Sequence, residues 1–330
     1  MNGTTGMTLR SPPRVNATPW HRATGNPILS ASAAWEASGT VVQEPSVIYD
    51  SGTWKMWYTG GFNSPALGYA SCTGDPTVAG NWTKYVSNPI LGQGTVVAGW
   101  VSGNNILKVG STYYVFYYDA SGGGNLKVST SADGIAWATP TTAIEKGAVA
   151  WIPGGWANSF VWGSSGAWKM LVEGSATVGG GPPWRISYAT SSNSTPDSGW
   201  TVQGTNFLTS LVVDNGGASG GPCLYNGGAL INGRYQLWFH AGNGNYTNIY
   251  HAYSTDAQNW TVTSRPELAQ NGSTYETQQV ADPAIIEHDN GDGTTTSYLF
   301  YDGINNGAPT GYINVATYPS TLANLVLWET

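Results

Sequence analysis

Charge is scarce in this chain, since only 9% of its 330 residues are Asp, Glu, Lys or Arg. The 12 Lys and Arg residues are scattered, and the formal net charge is −7. Proteins bind a phosphate backbone through a stripe of basic side chains, so this composition argues against nucleic-acid binding. Disorder is excluded as well, because disordered chains have few aromatic residues, whereas this one has 16 Trp and 19 Tyr.

Cysteines and long apolar runs are also few. Cys72 and Cys223 are the only cysteines and fall in different repeats, so we expect two small core residues rather than a disulfide. CxxC spacing, which would suggest zinc, is missing. No apolar run approaches the roughly 20 residues of a membrane span, and the N-terminal segment shows no apolar region of a secretory signal.

The first residues differ in character from the rest. Residues 1–24 are predicted to form an N-terminal arm, which is a candidate docking segment, and residues 25–330 a single domain. Low charge with abundant Thr, Ser, Asn and Gly is typical of extracellular or virion-surface β-proteins. We therefore expect an extracellular or surface-associated protein.

What the chain does have is an internal repeat. A short turn rich in Ser, Thr, Asp and Asn leads to a Trp about every 60 residues, at Trp82, Trp137, Trp200, Trp260 and Trp328. A strand–turn–strand pattern precedes each of them, with bulky residues at a period of two and Ser-Gly, Val-Gly or Asn-Gly turns. Five such repeats predict an all-β fold: a five-bladed β-propeller with four antiparallel strands per blade.

The innermost strand of each propeller blade lines the axis, so five equivalent positions converge on one central pocket. Acids stand at two of these positions, Glu44 before Pro45 and Asp282 before Pro283. An acid needed by the fold should recur in every blade, so its restriction to two blades favours function. The alternative is that each acid caps a strand entry by accepting backbone N–H groups.

Several short motifs resemble those of a known family, namely NPIL at 26–29, EPSVI at 44–48, WYTGG at 57–61 and GYA at 68–70. They are similar to the five-bladed glycosidase superfamily, which includes arabinanases and xylosidases of glycoside hydrolase family 43, and invertases. The resemblance implies an acid in the first blade as base or nucleophile, a middle-blade carboxylate that tunes pKa values, and a Glu as acid. Glu44 matches the first, where the family more often has Asp. The second falls near Asn158, and the acid Glu falls on Gly220.

A second resemblance concerns a turn. The S-x-D-x-x-x-W spacing at Ser131, Asp133 and Trp137, repeated at Ser254, Asp256 and Trp260, is similar to the Asp-box of sialidase-type propellers. In those proteins the motif is a structural turn, so we expect a structural role here.

Asn158 and Gly220 cannot ionise, so other side chains must replace the two acids that the resemblance implies there. Candidates stand at the ends of second strands and in two loops, namely Asp119, Glu173, His240 and Asp302, and Asp214 and Glu276. The apolar sequence around Glu173 favours a raised pKa, although hydrogen bonding at the blade edge is an equal alternative. The catalytic candidates are therefore Glu44, Asp282 and Glu173. The candidates for binding substrate are Asn104, Asn105, Asn158, Trp100, Trp156, His240 and Asp302, with Trp162 and Trp184 as further stacking surfaces.

Two main classes of function remain open, besides a protein–protein scaffold. One is a glycoside hydrolase that acts on an extracellular or surface glycan by carboxylate acid/base chemistry. The other is a non-catalytic glycan-binding or receptor-recognition module, such as a virion fibre or tail component. A hydrolase needs two carboxylates roughly 5 to 9.5 Å apart, whereas a binding module needs at most one acid.

The expected partner under either function is an oligo- or polysaccharide. We expect that no cofactor is required. A structural calcium ion is an alternative without support, because the run from Asp289 to Gly293 is better explained as a hairpin turn than as a calcium loop.

Overall fold

The computed structural model describes residues 19–37, 40–96, 99, 101–119, 123–213, 218–242, 247–305 and 310–326. Its strands in chain order are β1 (His21–Arg22), β2 (Leu29–Ser30), β3 (Val42–Asp50), β4 (Thr53–Gly60), β5 (Ala66–Cys72), β6 (Trp82–Lys84), β7 (Val101–Val109), β8 (Thr112–Asp119), β9 (Leu126–Ser131), β10 (Thr141–Ile144), β11 (Trp156–Trp162), β12 (Trp168–Ser175), β13 (Trp184–Ser191), β14 (Thr201–Val202), β15 (Ala218–Leu224), β16 (Leu230–Ile231), β17 (Arg234–Gly242), β18 (Thr247–Ser254), β19 (Thr261–Val262), β20 (Gln279–Asp289), β21 (Thr295–Ile304) and β22 (Gly311–Tyr318).

Helices are short. In the described part of the chain, 3-10 helices lie at Ala34–Glu36, Ala79–Asn81, Thr209–Leu211 and Tyr225–Gly228, and one α-helix, α1, spans Leu322–Val326. Among the residues that the structure describes, no helix is both long and apolar enough to cross a lipid bilayer.

The strands are arranged as antiparallel meanders. β3 to β6, β7 to β10 and β11 to β14 are separate four-stranded sheets. A fourth sheet has ten strands, but its two runs, β15–β17–β18–β19 and β20–β21–β22–β1, are joined by a single parallel pair, Thr247 with Gln279. β1 and β2 both pair with β22. Within the described residues, strand pairing therefore includes His21 and Arg22, inside the segment predicted to be an arm.

Tight turns join neighbouring strands where the sequence carries its turn signals. Ser51 and Gly52, between β3 and β4, both have positive φ (53° and 81°), and so do Asn232 and Gly233 (52° and 74°), between β16 and β17. Two successive positive φ values define the type I′ turn, whose twist matches that of paired strands. The predicted hairpin at Asp289–Gly293 is also confirmed, because this segment joins β20 to β21.

The apolar core lies between neighbouring sheets. Trp57 of β4 packs with Tyr113 of β8 and Trp137, whereas Trp54 on the same strand packs with Phe300 of β21. The first sheet thus packs against the second sheet on one side and the ten-stranded sheet on the other. Burial of each large aromatic contributes about 1.5 to 3 kcal/mol, so these contacts hold the sheets around a common axis.

The Asp-box segments form the structural turns that the sequence predicted. Asp133 Oδ1 accepts hydrogen bonds from the backbone N–H groups of Ile135 and Ala136, both at 2.8 Å. The turn also reaches the neighbouring sheet, where Trp57 Nε1 donates to the carbonyl of Gly134 at 2.7 Å. Asp256 repeats the arrangement in the second copy. The expectation for the cysteines is confirmed as well, since both are buried and free.

Candidate functional site

A cavity of about 610 Å³ is lined by residues of β3, β7, β11, β15 and β20. Each of these strands contacts the next, and β20 contacts β3, so they form a closed ring. Glu44 and Asp282 line one end of the cavity, which we call the bulge end. Asp50, Lys108 and Asp289 line the other end, which we call the hairpin end.

Each of the five lining strands is bulged near its start. The register with the second strand shifts between Gln43 and Ser46, Ser102 and Asn105, Trp156 and Ser159, Gly220 and Cys223, and Ala281 and Ala284. The residue pairs inside these bulges are Glu44-Pro45, Gly103-Asn104, Ala157-Asn158, Gly221-Pro222 and Asp282-Pro283. The bulges thus place Glu44 and Asp282 at equivalent positions, as their shared register before proline predicted.

The two acids occupy backbone conformations that suit glycine. Glu44 has φ 54° and Asp282 has φ 48°, and the equivalent bulge residues Gly103 and Gly221 have φ 65° and 55°. A non-glycine residue in this region costs roughly 1 to 3 kcal/mol and is found most often at functional sites. Two bulges of this chain thus carry an acid where two others carry glycine, which points to a role for these carboxylates.

Glu44 is surrounded by hydrogen-bond donors from the next sheet. Its carboxylate accepts hydrogen bonds from Ser102 Oγ at 3.0 and 3.1 Å and from the backbone N–H of Gly103 at 2.6 Å. Gln43 Nε2 donates at 3.3 Å, and the hydroxyl of Thr59 also donates. Burial raises the pKa of Glu44, whereas the hydrogen bonds from Thr59, Gly103 and Ser102 stabilise its ionised form.

Asp282 lies between an amide and an imidazole. Its Oδ1 accepts a hydrogen bond from Asn158 Nδ2 at 2.7 Å and lies 3.2 Å from His240 Nδ1. The backbone N–H of Asp282 also approaches His240 Nδ1, at 3.3 Å. Burial and the nearby charge of Glu44 raise the pKa of Asp282 to about 7. Asp282 is therefore linked electrostatically to Glu44, which lies in a different sheet.

Glu173 reaches the same end from the second strand of its sheet. The side chain is 4% exposed, and its Oε2 accepts a hydrogen bond from the backbone N–H of Gly221 at 2.9 Å. A Cβ at Gly220 would lie 2.3 Å from the Glu173 carboxyl carbon, so this carboxyl fills the space beside a residue that has no side chain. Burial, together with the charges of Asp282 and Glu44, raises the pKa of Glu173 to about 7, against the opposing charge of His240.

Asp302 lies beneath these groups. It is fully buried, accepts a hydrogen bond from Gln279 Nε2 at 3.0 Å and shares a side-chain hydrogen bond with Asp282. Burial and then the charge of Asp282 raise the pKa of Asp302 well above its usual range. We call Glu44, Glu173, Asp282 and Asp302 the carboxylate cluster.

Three side chains of this region could meet the distance requirement of a cation site, because ligand atoms of Glu173, His240 and Asp282 lie within 4.8 Å of one another. The atoms concerned are already engaged, however. Asp282 Oδ1 pairs with both Asn158 and His240, and Glu173 Oε2 accepts from Gly221. We assign no metal to this group.

The remaining predicted site residues are divided. Asn105 and Asn158 line the cavity. Trp156 is fully buried in the core, where its Nε1 donates to the carbonyl of Glu145, so its ring cannot stack on a sugar. Trp162 is 4% exposed and packs in the core as well. Trp100, Asp214 and the side chain of Asn104 lie outside the described residues.

Other candidates hold the fold together. Glu276 accepts hydrogen bonds from Arg22 Nε and Tyr301 Oη, and so ties β1 to β21. The sequence analysis missed Ser102 and Gln279, which hold the acids in place. No signal in the sequence marks them, because their partners come from distant segments.

The comparisons with known proteins concern the fold. No protein-family model and no curated protein sequence matches the chain. Solved structures do match it. The catalytic domain of a Coprinopsis cinerea family-62 α-L-arabinofuranosidase is 16% identical, with 91% of this chain and 98% of that chain covered and a TM-score of 0.66.

Two further structures agree with the first. An α-L-arabinofuranosidase from Podospora anserina in complex with cellotriose is 14% identical, with 91% and 97% of the two chains covered and a TM-score of 0.62. A thermostable family-43 glycoside hydrolase is 10% identical, with 83% and 88% covered and a TM-score of 0.61. The chain therefore has the β-propeller fold that glycoside hydrolases of families 43 and 62 share.

Proposed function

We propose that this chain is a glycoside hydrolase with a five-bladed propeller, which cleaves an extracellular or surface glycan by carboxylate acid/base chemistry. The blade count rests on the five strands around the cavity and on the ten-stranded sheet. That sheet is two blades of about four strands each, since one residue pair joins its halves. The extracellular location rests on composition alone.

The observation that carries the enzymatic proposal is the meeting of three carboxylates from three different sheets. Besides burial, the charges of Asp282 and Glu44 raise the pKa of Glu173, and the charge of Glu44 raises that of Asp282, so the three groups lie close together. A binding module would need at most one acid in such a place, and burying several without a function is costly. The cluster therefore favours hydrolysis over simple recognition.

Glu173 is the proposed general acid. A general acid must hold its proton near neutral pH, and the pKa of Glu173 is raised to about 7. In the family that the sequence resembles, the acid Glu would fall on Gly220, and the Glu173 carboxyl fills the space beside that glycine. Glu173 thus supplies from the neighbouring blade what position 220 lacks.

Glu44 is the proposed base or nucleophile. Donors from Ser102, Gly103 and Thr59 favour its ionised form, which an attacking group or a base requires. Asp282 is the proposed third carboxylate, whose charge helps to keep Glu173 protonated. Asn105 and Asn158 are placed to hydrogen-bond sugar hydroxyls.

The similar solved structures suggest which substrates to test first. Two of the similar structures are α-L-arabinofuranosidases, and a third hydrolase was solved with xylotriose. Arabinofuranosyl-substituted xylan and aryl arabinofuranosides are therefore the first substrates to test, followed by a panel of other plant and microbial glycans.

The test is hydrolysis by the wild type and by Glu173→Gln, on a polysaccharide and on an aryl glycoside with a good leaving group. Loss of a general acid should lower turnover of the polysaccharide about 10²- to 10⁴-fold and affect the activated glycoside far less. Asp289→Asn, at the hairpin end, is the matched control and should change neither rate. Sugar binding without hydrolysis of any substrate would instead identify a recognition module.

A further inference from the structure

Asp302 sits next to the proposed site without access to solvent or substrate. It lies on β21 opposite Ala281 and is fully buried. Gln279 Nε2 donates to its Oδ2 at 3.0 Å, while no donor among the described residues reaches its Oδ1. The carboxyl group of Asp302 nevertheless shares a hydrogen bond with the side chain of Asp282.

Two carboxyl groups can form a hydrogen bond only when one of them holds a proton, because an ionised carboxylate has no donor. A carboxylic acid has one O–H donor, and Asp302 Oδ1 has no other hydrogen-bond partner among the described residues. The question is then which of the two aspartates holds the proton.

The surroundings assign the proton to Asp302. Asp282 is partly exposed, with 12% of its side chain accessible, and Asn158 Nδ2 donates to it. Asp302 has no solvent access and a single amide donor. Each carboxyl thus has one amide donor, and the more deeply buried of the two is the one that stays neutral. Burial raises the pKa of Asp302 well above the usual range. Of the charged or titratable groups that face it, Asp282 and Glu44 raise the pKa further and His240 opposes them.

We propose that Asp302 is a positioning residue, a permanently protonated acid that donates a hydrogen bond to Asp282 and fixes its carboxylate beside Glu173. The donated proton stays on Asp302 throughout and is not consumed. Gln279 orients the acid by occupying the oxygen that does not carry the proton.

Substitution by asparagine tests this role, because Asn has the same shape and a permanent donor. In Asp302→Asn the side-chain oxygen can accept from Gln279 while the amide donates to Asp282. In Asp302→Leu neither bond forms. With respect to activity, the inference rests on the proposed hydrolase function.

The expected result is that Asp302→Asn keeps kcat/KM within about threefold and keeps the pH profile of the wild type. Asp302→Leu should lose about 10- to 100-fold, the effect of removing a hydrogen bond to a charged group, and its basic limb should shift because Asp282 no longer holds its place beside Glu173. A loss in Asp302→Asn as large as that in Asp282→Asn would overturn the proposal, since it would make Asp302 an ionised participant.

Infrared spectroscopy tests the proton itself without any substrate. At about pH 8.5, Glu173 and Asp282 are mostly ionised because their pKa values are near 7. Burial also raises the pKa of Glu44, so the comparison is made with Glu44→Gln. A carboxylic C=O band should persist at this pH in the wild type, in Glu173→Gln and in Glu44→Gln, and disappear when Asp302→Asn is combined with Glu44→Gln. A band that survives in that double variant, or is absent from Glu44→Gln, would overturn the proposal even if the chain hydrolyses no glycan.

Discussion

The environments at the two ends of the cavity shift the pKa values of carboxylates in opposite directions. At the hairpin end Asp50 accepts hydrogen bonds from Lys55 Nζ at 2.6 Å and Lys108 Nζ at 2.9 Å, and Tyr113 Oη donates at 2.9 Å. These bonds hold the pKa of Asp50 well below its usual range. At the bulge end the partners of the acids are hydroxyl, amide and backbone N–H groups and one imidazole, and burial raises the pKa values.

The difference separates an acid that stabilises the fold from acids that the fold must tolerate. Asp50 gains from its cations, whereas Glu44 and Asp282 combine backbone strain with burial and mutual repulsion. Natural proteins accept such costs mainly where function requires them. Changes at the bulge end should therefore affect catalysis, and changes at the hairpin end should affect stability.

The largest expected effect is the loss of hydrolysis in Glu44→Gln and Asp282→Asn. Glu44→Gln should lower kcat/KM about 10²- to 10⁴-fold, as for the loss of a base. Asp282→Asn should lower kcat/KM as well, because the charge of Asp282 helps to keep Glu173 protonated. The thermal midpoint should stay the same or rise, because each change removes a charge from a crowded cluster. Asp50→Asn, measured in parallel, should keep wild-type kcat/KM. Equal losses in all three variants would show that the two ends do not differ.

A second prediction concerns a double variant in which the acid is transferred from position 173 to position 220. Glu173→Ala should be nearly inactive on unactivated glycans, and the added change Gly220→Glu should restore part of the activity, about tenfold or more. Gly220→Glu alone should destabilise the protein, since its Cβ would lie 2.3 Å from the Glu173 carboxyl carbon. Kinetics and thermal unfolding of the three variants provide the measurement. No recovery in a folded double variant would contradict the assignment of Glu173 as the acid.

The features that depend on neighbouring residues could be predicted from the sequence. The Ser-Gly and Asn-Gly turns, the Asp-box turn at Asp133 and the shared register of Glu44 and Asp282 depend on neighbouring residues, and the structure has them where expected.

Long-range packing could not be predicted in the same way. β1 pairs with β22 almost 300 residues away, which no local pattern encodes. Trp156 packs inside the core against residues of the second sheet, and the donor from Ser102 to Glu44 crosses between sheets. The sequence could identify Asp302 as a candidate but not its complete burial, which depends on segments far along the chain.

A third prediction concerns pH and stability, for which the two ends should have opposite signs. Glu173 has a folded-state pKa of about 7, above its ordinary value of 4.5. The unfolded chain therefore loses this proton at lower pH than the folded one, and stability falls as pH rises between about 4.5 and 7. The shift corresponds to about 3 kcal/mol. Thermal unfolding from pH 5 to 8 should show a falling midpoint in the wild type and a shallower fall in Glu173→Gln; identical slopes would refute the prediction.

The smallest expected effect is at the hairpin end. The pKa of Asp50 is lowered by Lys55, Lys108 and Tyr113, so its contribution to stability is present above the ordinary value of 3.8 and disappears as pH falls through the lower folded-state value. Since all three charged side chains are partly exposed, Asp50→Asn should cost only about 1 kcal/mol at pH 7. Added salt should reduce that difference, because ions screen partly exposed pairs. Urea unfolding at low and high salt measures it. A loss that salt does not change would mean that Asp50 acts through hydrogen-bond geometry rather than through the charges of its two lysines.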